Sequence, residues 1–178
     1  NPLNCQPGDH VEIGSIESKS YEIQSLLHYE TDKQDPDFVR YSLKPASGGD
    51  LKVLEVIPGD EKNELLFSLF QLVDEFELDE KLVDIIENED QLTQTLCSDT
   101  GSEYEVNFEK DFVTKATVHF LSKEETEDFD VTMVNYFTTT EDDQESYLCV
   151  EILEESEWMN FWQGRKLKSV EVSAMGTL

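Results

Sequence analysis

Apolar residues recur at every second position over much of the chain, the spacing of strands with one buried face. Val11 and Ile13 alternate with Glu12 and Gly14. Tyr21, Ile23, Ser25 and Leu27 fall on one face of the next run, with Leu26 and His28 on the other. Phe38, Arg40 and Ser42 oppose Val39, Tyr41 and Leu43 in a third run, and Leu51–Ile57 makes a fourth. The connections carry turn chemistry: Gly14-Ser15, Ser18-Lys19-Ser20, the polar residues 32–37, Ser47-Gly48-Gly49-Asp50 and Pro58-Gly59-Asp60. Four short strands joined in this way predict an antiparallel meander.

Residues 65–76 fit either a helical stripe (Leu65, Leu66, Leu69, Phe70, Val73, Phe76) or alternation (Leu65, Phe67, Leu69, Val73). A strand continues the meander and is the reading adopted. Asp79 is a good N-cap for a helix burying Leu82, Val83 and Ile86, which predicts one short helix near 79–88. A polar stretch and the turn residues 99–102 follow. Strand patterns resume at 103–109, 113–121, 128–138, 146–153 and 157–163, with acidic turns at 123–127, 141–145 and 154–157, and a last run spans Leu167–Val172. The expected fold is α+β and mainly β: twisted antiparallel sheets with one short helix in a single unit of residues 1–178. A faint internal similarity relates Tyr21-Glu22-Ile23 and Phe38–Leu43 to Phe129-Asp130-Val131 and Tyr147–Ile152. It allows two similar β-rich lobes, 1–76 and 103–178, joined by a helical segment 77–102.

Charge changes the picture of partners more than of fold. The 178 residues carry 41 acidic and 13 basic side chains, a formal net charge of -28. The basic residues form no cluster able to track phosphates or anionic lipid heads, so direct nucleic-acid binding is not expected. No apolar stretch reaches the ~20 residues that span a bilayer, so no membrane insertion is expected. Ten Phe, six Tyr and two Trp argue for a packed protein under an acidic coat rather than a disordered one. Cys5, Cys97 and Cys149 are dispersed and odd in number, which suits a reducing, cytoplasmic setting without disulfides; Cys149 lies in an apolar run and reads as core.

Reactive chemistry finds little support. His10, His28 and His119 lack the spacing of a metal site, and the acidic turns lack a calcium-loop pattern, so no metal or other cofactor is expected. Neither a Gly-x-Ser-x-Gly elbow nor a phosphate loop occurs. Glu55 and Glu151 lie within apolar strands, and alternation turns Glu151 away from Val150 and Ile152; both are expected to be exposed. One segment differs in character: Glu157-Trp158-Met159-Asn160-Phe161-Trp162-Gln163-Gly164-Arg165-Lys166. As a strand it carries Trp158 and Trp162 on one face and Met159 and Phe161 on the other. One face can fill the core, and the other needs a cover. Trp and Arg are enriched at binding hot spots, so Trp158, Trp162 and Arg165 are the candidate partner-binding residues.

Gly8-Asp9-His10-Val11-Glu12-Ile13, Tyr21-Glu22-Ile23, His28-Tyr29, Phe38-Val39-Arg40-Tyr41 and Leu51-Lys52-Val53-Leu54-Glu55-Val56 resemble a bacterial family of unknown function, DUF4178. Tyr147–Glu151 and Trp158 to Gly164-Arg165 look like the same pattern again, so the resemblance spans most of the chain outside 60–110. It implies an accessory role and supplies no catalytic residues; the helical insert and the acidity depart from the family pattern. The expected function is a non-catalytic, soluble module that binds another protein through its aromatic surface or by strand addition. The alternatives are an acidic neutraliser of a basic target, such as an immunity protein or DNA mimic, and an enzyme with an unfamiliar pocket.

Overall fold

A computed structural model describes residues 4–14, 19–32, 36–97, 101, 103–139 and 143–175. The expected turns at 15–18, 32–37, 99–102 and 141–145 lie wholly or partly outside the described residues. The protein is built mostly of antiparallel strands, with one short α-helix. The strands are β1 (His10–Ile13), β2 (Lys19–Thr31), β3 (Phe38–Pro45), β4 (Lys52–Pro58), β5 (Leu65–Glu77), β6 (Gln91–Cys97), β7 (Glu103–Ser122), β8 (Thr126–Thr139), β9 (Glu145–Leu153), β10 (Trp158–Leu167) and β11 (Val172–Met175); α1 is Glu80–Asn88.

The chain divides into two compact units. The first takes the described residues of Asn1–Phe70, Thr117–Phe129 and Lys166–Leu178; the second takes Gln71–Ala116 and Asp130–Arg165. Strand order in the first unit is β11-β1-β2-β3-β4-β5, with β2 also paired to β7. Its core gathers Val11, Ile13, Tyr21, Ile23, Val39, Tyr41, Leu43, Leu54, Val56, Phe67 and Leu167. On β3 these are the odd positions, as period-two alternation requires. On β2 the register slips between Ile23 and Ser25. This bulge corrects the expected common face of Tyr21, Ile23, Ser25 and Leu27. Beyond it Leu26 lies opposite Tyr41 and packs on the same core as Ile23, while Ser25 lies opposite Ser42.

In the second unit the order is β5-β10-β9-β8-β7-β6. Its core joins Leu92, Val106, Phe108, Val134, Tyr136, Leu148, Val150, Ile152, Met159 and Phe161. Helix α1 closes this apolar face with Ile86, which is wholly buried, and with Leu82 and Val83. The helix starts where Asp79 accepts hydrogen bonds from the backbone N–H groups of Lys81 and Leu82, at 2.9 and 3.3 Å. Cys149 is fully buried, as its apolar flanks suggested.

Residues 65–77 form a strand, and the helix falls where its cap placed it. Three expectations change. Residues 91–97 form a strand instead of a polar connection, and 103–109 and 113–121 are parts of one long strand. The expected final strand Leu167–Val172 is the end of β10, a 3-10 turn at Ser169–Glu171 and the start of β11.

Candidate functional site

Strand β10 pairs with β9 in unbroken antiparallel register from Trp158 opposite Leu153 to Arg165 opposite Ser146. Met159 and Phe161 are fully buried in the second core. Alternation therefore turns Trp158, Asn160 and Trp162 to the other face, where all three are half-buried. Both indole N–H groups are engaged within the unit. Trp158 Nε1 donates to Asn160 Oδ1 at 3.1 Å, and Trp162 Nε1 donates to the Glu151 carboxylate. Asn160 and Glu151 are themselves opposite each other across β9 and β10. The two indoles are thus tied to one polar pair and have fixed orientations. Arg165 is exposed and, by the same alternation, belongs to the face of Met159 and Phe161, so the strand separates it from the two tryptophans.

Glu151 is not exposed: it is 6% accessible, and Glu55 is 8% accessible. Alternation directs Glu151 away from Val150 and Ile152 as expected. At Glu151 itself that second face is closed to solvent, and the carboxylate accepts the Trp162 N–H there, while Trp158, Asn160 and Trp162 beside it stay partly accessible. Glu55 meets a stronger partner in the first unit. It lies opposite Arg40 across β3 and β4, and Arg40 Nε and Nη2 both reach its Oε2, at 2.9 and 2.6 Å. The Arg40 guanidinium is also 5.2 Å from the ring centres of Tyr29 and Phe70 and 5.9 Å from that of Phe38. Tyr29 and Phe38 stack on each other at 4.6 Å. A cation buried this deeply is tolerable because its charge is matched by a carboxylate and by the negative faces of the rings. The signals for this site were Arg40, one of two arginines in the chain, within an apolar run, and Glu55 in the next; their register could not be read from the sequence.

A third constellation escapes sequence patterning altogether. In the first unit His119 on β7 is held between two carboxylates: Nε2 lies 2.8 Å from Glu30 Oε2 and Nδ1 lies 2.8 Å from Asp128 Oδ1. His28 stands with its ring centre 6.0 Å from that of His119, and its Nε2 is 3.7 Å from Asp37 Oδ2. The hydrogen bond to Glu30, then that to Asp128, raises the His119 pKa above its ordinary value. His28 and His119, which lack any metal-site spacing in the sequence, are therefore neighbours. Among the described residues no group of three or more His, Cys, Asp or Glu side chains is arranged to hold a metal ion, and no helix is long and apolar enough to cross a membrane.

Comparison with protein-family models, with curated proteins and with solved structures finds no match to this chain.

Proposed function

We propose that the chain is a non-catalytic binding module that engages another protein through the Trp158–Trp162 face of the second unit. The observation that carries this reading is the pair of half-buried indoles anchored by Asn160 and Glu151. Rigid aromatic groups lose little conformational freedom on binding, and such anchors dominate interface energetics. Replacing Trp158 or Trp162 by Ala should reduce partner capture from the native host by tenfold or more, on the order of one hot-spot contact. Replacement by Phe, which keeps the ring and loses the N–H, should reduce it less. If the Ala variants unfold while the Phe variants bind normally, the indoles serve the core and the reading fails.

The charge of -28 favours a second reading, a neutraliser of a basic target. Such a complex would weaken steeply as salt rises, whereas capture by an apolar indole surface would hold.

A further inference from the structure

Strand β6 ends the strand order of the second unit, with β7 as its neighbour. Natural proteins guard such edges with Pro, Lys, bulges or inward-pointing charges, because a row of unengaged backbone N–H and C=O groups templates a further strand. This edge carries none of these guards. Gln91–Cys97 reads Gln-Leu-Thr-Gln-Thr-Leu-Cys, seven residues without a charge or a proline, in a chain where 30% of residues are charged. The pairing with β7 runs through all seven residues, from Gln91 opposite Glu109 to Cys97 opposite Glu103, with no slip. The edge is therefore regular, without a bulge.

Its two faces differ. Leu92 is buried with Val106 and Phe108, and α1 packs on that side through Ile86. On the opposite face Gln91, Thr93 and Thr95 are exposed and lie opposite Glu109, Asn107 and Glu105, which are exposed as well. The approach to the strand is also acidic, with Glu87, Glu89 and Asp90 all exposed. Gln91 and Thr95, both uncharged, lie opposite Glu109 and Glu105, and both acidic residues one strand further in stay exposed. The two carboxylates lie about 10 Å from any strand added beyond β6, at roughly 4.8 Å per strand, within reach of a long cationic side chain leaning across. A second copy of this chain would bring a like charge of -28 to the same place.

We propose that β6 accepts an extended segment of a partner protein as an added antiparallel or parallel strand, and that this segment bears Lys or Arg at alternate positions. Backbone pairing along the edge supplies the affinity. The cationic side chains, all on one face by the period of two, meet Glu105 and Glu109, and the intervening small residues turn towards the side of Leu92. The contact adds a second surface to the binding role assigned to the indole face and is independent of it.

The probe is a synthetic peptide of about nine residues alternating Lys with Thr, long enough to pair with the whole edge. Its control is the same sequence with every backbone nitrogen methylated, which keeps the charge and removes the donors. Amide and indole N–H signals of the full chain are followed by NMR at physiological salt. The expected result is saturable binding, with slowed hydrogen exchange confined to amides within Gln91–Cys97 and their β7 partners. The methylated peptide should bind at least about tenfold more weakly, the equivalent of one or two backbone hydrogen bonds. Glu105→Gln with Glu109→Gln should weaken the unmethylated peptide by several-fold. No binding, equal binding of both peptides, or protection at another strand would each overturn the proposal. So would a peptide-free dimer joined through β6. Movement of the Trp158 and Trp162 indole signals alone would place the peptide on the other surface and also sink this one.

Discussion

Individual side chains in this protein are held by partners that the sequence leaves unnamed. Arg40 shows this most sharply, since a buried guanidinium with its carboxylate removed, or the reverse, is an uncompensated charge. Arg40→Met should cost about 3–5 kcal/mol, and Arg40→Met combined with Glu55→Leu should recover most of that loss; chemical denaturation of the two variants measures the difference. His119 makes a prediction about pH. Its pKa in the folded protein is raised above the ordinary 6.5 by Glu30 first and Asp128 second. The charged ring therefore favours the fold fully below the unfolded-state value, and that contribution is lost as pH rises through the folded-state value. The site is exposed and screened, so the clean measurement is the ring-proton titration by NMR. The midpoint should lie above 6.5 and fall in Glu30→Gln and, separately, in Asp128→Asn. The Glu30–His119 contact was not legible beforehand, because the two residues lie 89 positions apart and short-range spacing carries no trace of the pairing.

Whole elements were easier to read than contacts, and the failures have particular causes. Helix α1 was legible because a capping Asp79 and the stripe Leu82, Val83, Ile86 point to the same structure. Asp79→Ala should destabilise the protein by about 1 kcal/mol, checked by urea unfolding, since two backbone donors lose their acceptor. Strand β6 was illegible because Gln and Thr alternate around only two leucines, a weak apolar signal; pairing with β7 supplies what local preference lacks. Residues 110–112 looked like a break in β7, yet the strand continues through them to Ser122. The bulge in β2 reversed which side chains face the core, a change that strict counting by twos cannot anticipate. For the candidate site, alternation did assign Met159 and Phe161 to one side and the indoles to the other. Arg165 was grouped with Trp158 and Trp162, although the same alternation places it on the opposite face of the strand.

Across the molecule, -28 charges of net excess repel one another in every compact arrangement. Raising salt from about 10 mM to about 150 mM shortens the screening length from about 30 Å to about 8 Å, so the thermal midpoint should rise over that range. Scanning calorimetry at fixed pH checks it; a flat response would mean that local pairs such as Arg40–Glu55 already offset the repulsion. The acidity was visible at once in the composition, whereas the division of the chain into units was not, because it depends on which distant segments meet. The first unit draws on three stretches of sequence, and its β1 is paired with β11, near the far end of the chain. During vectorial synthesis, then, β1 must wait for β11, which follows every other described strand in the sequence. Until Leu167 and the β11 residues clear the ribosome, the nascent meander lacks a core residue and the neighbour on one flank of β1. A stall or premature stop shortly before Leu167 would leave β1 to β9 made and the first unit without its seal or its border strand.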